Sequence, residues 1–222
     1  MGGKREAKDA LFEGLASVAK ALGNGHRAEI VDVLAQGERS VEDIAGEIGQ
    51  SVANTSHHLR SLARAGVVAT RRDGTRVFYR LASERVSELW LAMRDVAGAH
   101  IANLEQLAAA YLGSRTGVEE ITRAELEERL RIGDVIVLDV RPSPEFGAGH
   151  IRGARSVPIT TLRQHLKTLP AGTDVVAYCR GQYCVYANEA VIQLTKHGYH
   201  ASRLEDGYPE WRRDGRPVAV ES

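Results

Sequence analysis

Cys179 and Cys184 are the sole cysteines of a 222-residue chain, and they stand five positions apart in Cys179-Arg180-Gly181-Gln182-Tyr183-Cys184. In a reducing compartment a pair this close reads as catalytic or redox chemistry before it reads as a structural staple. The apolar run ending at Tyr178 and the helical pattern from Val185 make the hexapeptide a strand-to-helix turn at the carboxyl end of a parallel sheet. Backbone N–H groups of such a turn, together with the helix N-terminus, can cradle a thiolate or a bound oxyanion. The same field, with Arg180 adjacent, is expected to depress the Cys179 pKa and raise its thiolate fraction. Cys179, Arg180 and Cys184 are therefore the candidate catalytic residues, and Gly181, Gln182, Tyr183 and Val185 the candidate substrate-binding loop. For Cys184 two readings stay open: a second reacting thiol, or a small inert side chain at a helix start.

A second set of residues suits a polyanion. From Ser51 to Arg80 six arginines stand against one acid, Asp73, a net charge of +5 on a chain of zero formal charge, whereas residues 1–50 hold six bases and nine acids. A cationic stretch on a neutral protein implies that one surface, not the whole molecule, meets nucleic acid. Ser51, Asn54, Ser56, His57, His58 and Arg60 fall on one predicted helix, with Arg71, Arg72 and Arg76 on a hairpin after it. Asn54 has the amide to pair with adenine; Ser51, Ser56 and His57 can bond bases or phosphates; the three arginines supply charge to the backbone or the minor groove. His58 is expected to be partly packed. The alternative for this region is a domain that mediates protein contacts.

The elements that position these residues follow from periodicity. Leu11, Leu15, Val18, Ala19 and Leu22 mark a first helix broken by Gly23-Asn24-Gly25; Ile30, Val31, Val33 and Leu34 mark a second, ended by Gln36-Gly37. Ser40 with Asp43 caps a short third helix carrying Ile44 and Ile48, and Ser51 caps a fourth whose core positions are Thr55, Leu59, Leu62 and Ala63. Residues 67–72 and 76–81 then read as strands joined at Asp73-Gly74. Helix, turn, helix, hairpin is the order that lays one helix in the major groove with a basic wing beside it. A single long helix is predicted from Glu84 to about Leu112, more apolar than a lone surface helix needs.

Gly113-Ser114-Arg115-Thr116-Gly117 reads as a linker, dividing the chain into domains 1–113 and 114–222. Beyond it Thr122 and Glu125 form a capping box, residues 135–140 and 174–178 are buried-strand runs, and residues 160–167 and 185–197 are helical. Strands alternating with helices indicate a parallel α/β sheet. With 43% hydrophobic and 26% charged residues, the composition is that of an ordinary globular protein. No charged leader with an apolar core opens the sequence and no apolar run reaches membrane-spanning length, so a cytoplasmic protein with no membrane partner is expected. Glu6 stands where a myristoylation signal requires Ser or Thr.

Two resemblances follow from these motifs. Ser56-His57-His58-Leu59-Arg60-Ser61-Leu62-Ala63-Arg64-Ala65-Gly66-Val67-Val68 with its Asp73-Gly74 wing resembles the ArsR-type repressors over roughly residues 10–112. That implies a homodimer, paired through the 84–112 helix, on a near-palindromic double-stranded operator. Leu138-Asp139-Val140-Arg141, Glu145-Phe146, Gly149-His150-Ile151, Gly153-Ala154, Ser156-Val157-Pro158 and Asp206-Gly207-Tyr208 ahead of Trp211 resemble a single rhodanese domain over roughly 117–222. There the resemblance implies that Cys179 takes sulfur from a sulfane-sulfur donor as a persulfide and passes it to a thiol acceptor. Cys184, a departure from many sulfurtransferases, could attack that persulfide, expel sulfide and leave a disulfide, or be bridged to Cys179 by extra sulfur atoms. The six-residue loop is the sulfurtransferase size and demotes phosphatase or arsenate chemistry. Asp139 and Arg141 are expected to be an internal pair supporting the loop, and His150 to be structural.

No cofactor and no metal are expected. The helix before the recognition helix has no cysteine, and Asp95, His100 and Glu105 do not match the family's metal-binding spacing. The leading expectation is a sulfur-responsive repressor. The alternatives are a sulfurtransferase with an unregulated winged-helix tether and, third, an arsenate- or metal-linked sensor.

Overall fold

In the computed structural model residues 2–113, 117–170 and 172–221 are described; Ser114, Arg115 and Thr116, the centre of the expected linker, lie outside the described residues. The chain folds into two compact units, Met1–Arg94 and Asp95–Ser222.

The first unit opens with helices α1 (Gly2–Leu22) and α2 (Gly25–Leu34), the second begun by the Asn24 side chain accepting from the Arg27 amide. Strand β1 (Arg39–Ser40) leads into α3 (Val41–Glu47), where Ser40 and Asp43 form the expected capping box. Ser51 caps α4 (Val52–Arg64) by accepting from the Asn54 amide at 3.2 Å. Strands β2 (Val68–Asp73) and β3 (Arg76–Leu81) form the antiparallel wing, with β1 added on β3. Gly74 carries a φ of 59° at the hairpin tip, which a side-chain-bearing residue adopts only with strain. Ile30, Val31, Leu34, Ile44, Leu59, Leu62, Val67 and Val68 make the core, and Val86, Trp90 and Met93 pack on it.

The predicted helix 84–112 is two helices, α5 (Glu84–His100) and α6 (Leu104–Leu112), interrupted at residues 101–103. Asn103 stands at the start of α6 with φ −106° and ψ 8°, outside helical geometry, so a continuous 3.6-residue periodicity spans a real break. In α4 the buried positions are Thr55, His58, Leu59 and Leu62, whereas Ala63 is exposed. The i, i+3, i+4, i+7 series places His58, not Ala63, on the inner face.

The second unit runs β4 (Glu119–Ile121), α7 (Arg123–Ile132), β5 (Val135–Asp139), α8 (Ser143–Ala148), β6 (His150–Ile151), β7 (Arg155–Ser156) and α9 (Leu162–His165) with a 3-10 turn to Thr168. It continues with β8 (Asp174–Cys179), α10 (Val185–Lys196), β9 (Ala201–Gly207), α11 (Tyr208–Arg213) and β10 (Val218–Ala219). Five strands form a parallel sheet in the order β4-β9-β8-β5-β7, and β10 pairs antiparallel with β6. Alternate residues of β5 and β8 serve two cores. Ile136, Leu138, Val175, Ala177 and Cys179 pack with α9 and α10, while Val137, Val176 and Tyr178 pack with Leu126 of α7 and Trp211 of α11. This alternation decides that Cys179 faces the α10 side of the sheet and Tyr178 the other.

Candidate functional site

The Cys179 loop is built by the end of β8 and the start of α10. Cys179 is fully buried, Cys184 is half-buried as the residue capping α10, and the Cys184 amide donates to the Gly181 carbonyl at 3.1 Å. The two Cα atoms are 6.3 Å apart and the sulfurs are bonded to each other as a disulfide. That separation lies inside the range a disulfide spans, so the curl of the loop permits direct bridging. Gly181 has φ 142°, and Gly207 on β9 comes so close that a Cβ there would collide with the Gly181 nitrogen and the Cys179 and Arg180 backbone. Gln182, Tyr183 and Val185 are half-buried around the turn.

Behind the loop lies a buried charge network. Arg141 donates to both Asp139 oxygens, from Nε at 2.9 and 3.1 Å and from Nη2 at 2.6 Å, and to the Gly149 carbonyl at 2.7 Å. Tyr178 donates its hydroxyl proton to Asp139 at 2.6 Å and accepts from the Ile151 amide. Burial, reinforced by the Asp139 charge, holds the Tyr178 hydroxyl well above its usual pKa, so it stays a donor. Arg180 reaches across to fully buried Glu145, with Nε 3.1 Å from each oxygen and Nη2 2.5 Å from Oε1. Its charge is thus met by a carboxylate, where the sequence suggested that it would act on Cys179. Glu145 carries the loop's arginine without having been singled out for that role. The signal available was a lone arginine in a loop beside a buried-strand domain, which needs an acid from elsewhere in the fold. His150 is buried, its Nδ1 2.9 Å from the Phe146 carbonyl and its ring stacked on Phe146, in keeping with a structural role.

On α4, Ser51, Asn54, His57 and Arg60 are exposed and Ser56 half-buried, so they share the outer side of the helix. The Asn54 side chain donates from Nδ2 to Gln50 Oε1 at 2.7 Å. His58 departs from this group: it is 8% exposed, with Nδ1 lacking a hydrogen-bond partner among the described residues, and is removed from the reading set. Burial first, then the neighbouring His26, Arg27 and His57, lowers its pKa and so favours the neutral ring.

The wing separates its arginines. Cross-strand register puts Arg71 opposite Phe78 and Arg72 opposite Val77, hence on opposite faces. Arg71 and Arg76 lie over the Phe78 ring, at 4.7 and 5.3 Å from its centroid. Arg71 donates to Glu38 Oε1 at 2.6 Å and lies 3.3 Å from Asp73, while Arg76 is 3.9 Å from Asp43. All three wing arginines are exposed. Among the described residues no group of three or more His, Cys, Asp or Glu side chains is gathered for a metal. No described helix is long and apolar enough to cross a membrane.

Residues 24–70 match the family model "Bacterial regulatory protein, arsR family", and residues 122–214 match "Rhodanese-like domain". The chain is 46% identical over 218 residues to the HTH-type transcriptional regulator Rv0324 of Mycobacterium tuberculosis, covering 98% of this chain and 96% of that one. Among solved structures it is similar to a homodimeric winged helix-turn-helix DNA-binding domain of Mycobacterium bovis, described as a possible ArsR-family transcriptional regulator (45% identity, 43% of this chain and 89% of that one, TM-score 0.41). It is also similar to a rhodanese-related protein of Thermoplasma volcanium (30% identity, 46% of this chain and 99% of that one, TM-score 0.42).

Proposed function

The chain belongs to the HTH-type transcriptional regulators of the arsR family and carries a rhodanese-like domain, and from that premise we propose that it is a repressor whose DNA affinity is set by reactive sulfur at Cys179. The observation that carries the reading is the pairing of Cys179 and Cys184 across one strand-to-helix turn. In the reduced loop the Cys179 thiolate attacks the outer sulfur of a persulfide R–S–S–H; that S–S bond breaks, R–S⁻ leaves, and Cys179 carries –S–S–H. The Cys184 thiolate then attacks the Cys179 sulfur, hydrosulfide leaves, and the disulfide remains. Two thiolates are oxidised and one sulfane sulfur is reduced to sulfide.

Domain 1–113 is the DNA-reading and dimerising part and 114–222 the sulfur-handling part. Ser51, Asn54, Ser56, His57 and Arg60 face the major groove, with Arg71, Arg72 and Arg76 at the wing. Leu89, Val96, Ile101, Leu107 and Tyr111 are exposed apolar residues within 84–112, and pairing two protomers through this segment on a near-palindromic site is the role assigned to them.

The test is binding to an operator fragment at fixed salt by reduced protein, polysulfide-treated protein and Cys179→Ser treated identically. We expect the treatment to change wild-type affinity about 5- to 150-fold, a coupling of roughly 1–3 kcal/mol, and to leave the mutant unmoved. Equal binding in all three removes the switch and leaves the second reading, a sulfurtransferase with an unregulated winged-helix tether. Turnover of a sulfane donor with cyanide as acceptor, lost in Cys179→Ser, supports that one.

A further inference from the structure

Resting on the persulfide reading above, we propose that the Cys179 loop is selective by charge: it takes sulfur from a neutral or singly charged hydropersulfide and discriminates against a dianionic donor such as thiosulfate. Arg180 is the sole charged residue between Cys179 and Val185, the other loop positions being Gly181, Gln182, Tyr183 and Cys184. Its guanidinium is tied at two nitrogens to Glu145, whose side chain is fully buried. Glu145 in turn lies 4.0 Å from Arg141, which is closed from solvent and paired with equally buried Asp139. These two arginines and two carboxylates offset one another in charge, so Arg180 does not stand beside Cys179 as an unbalanced cation.

What remains to hold an anion is partial charge alone: the backbone N–H groups of the loop and the amino end of α10, a helix of 12 residues that begins immediately after Cys184. A helix terminus is equivalent to about half a positive charge. That balances much of one negative charge and little of two. The penalty runs the same way. Cys179 is fully buried against Ala187, Ala190 and Val191, so a donor approaching its sulfur loses water, and the solvation lost grows with the square of the charge. Thiosulfate must bring two charges there to expel sulfite, whereas a hydropersulfide brings at most one.

The experiment uses reduced full-length protein mixed separately with cysteine hydropersulfide and with thiosulfate at equal concentration. Modification of Cys179 is followed by intact mass, and each rate is divided by that donor's rate with a free small thiol to remove intrinsic reactivity. The expected result is a normalised preference for the hydropersulfide of about tenfold, the effect of one imperfectly balanced unit charge in a partly screened site. Gln182→Arg, which adds a cation at a half-buried loop position, is expected to pull that ratio toward unity. A normalised thiosulfate rate equal to or above the hydropersulfide rate in wild type overturns the selectivity while sparing the sensing reading, as does a ratio indifferent to Gln182→Arg. Failure of both donors to modify Cys179 overturns the sensing reading and this inference together.

Discussion

Asp139 accepts hydrogen bonds from the Arg141 backbone and guanidinium and from the Tyr178 hydroxyl at a position closed to solvent. Removing it leaves a buried guanidinium without its carboxylate, so Asp139→Ala is expected to destabilise the carboxyl-terminal unit by about 3–5 kcal/mol, read from urea unfolding. Gly207→Ala acts through backbone, since its methyl would meet the main chain of Gly181, Cys179 and Arg180. A loss of about 1–3 kcal/mol, with slower sulfur uptake by the displaced loop, is the outcome to look for. His58 predicts a pH effect in the other unit. Its folded pKa is lowered by burial and then by His26, Arg27 and His57, so the unfolded chain binds its proton more readily. Stability is therefore fully present above the unfolded histidine value and falls as pH drops through it. Urea midpoints of the amino-terminal unit should decline on acidification below neutrality, and His58→Met should flatten that slope. The Asp139 and Arg141 pairing was legible because two opposite charges two residues apart at the end of a buried strand have few other ways to be satisfied. The Arg180 and Glu145 pair was not, because its members are 35 positions apart and belong to different elements.

At the scale of elements, capping chemistry and periodicity carried most of the reading. Ser40 with Asp43, Ser51, and Thr122 with Glu125 all begin helices as their side chains require. Periodicity missed the interruption between α5 and α6, since apolar spacing continues through residues 101–103; the short elements β1, β4, α8, β6, β7, α11 and β10; and strand β9, whose Arg203, Glu205 and Asp206 disguise an interior strand. Arg203 is fully buried there because its guanidinium donates to Asn188 Oδ1 and to the Leu204 and Glu205 carbonyls. The wing yields its own prediction. Glu38 holds Arg71 with a geometry that a DNA phosphate would also use, so protein carboxylate and phosphate compete for one guanidinium. Glu38→Gln is expected to raise operator affinity by about two- to tenfold and to steepen the log-log salt dependence by about one, measured by titration across salt concentrations.

Over the whole molecule, the separate cores of the two units predict two unfolding transitions. Reducing the Cys179–Cys184 bond, which closes a loop of only a few residues, should lower the stability of the carboxyl-terminal unit by roughly 2 kcal/mol, seen as an earlier transition of that unit in reductant. The amino-acid sequence by itself determined the winged helix-turn-helix order of the first part, the alternation of strands and helices in the rhodanese-like part, and the residues of the cysteine loop, while the two compact units divide at Arg94 and Asp95 rather than at the expected linker. Those features depend on side-chain types at short spacing: caps, turn glycines, apolar period and local charge. Tertiary structure alone decided that the two sulfurs meet, that Arg180 is neutralised by Glu145, and that Arg71 rather than Arg72 shares a face with Phe78 and reaches Glu38. Each of these depends on how segments distant in sequence approach or on how a helix or strand rotates against its core, and local spacing leaves both undetermined.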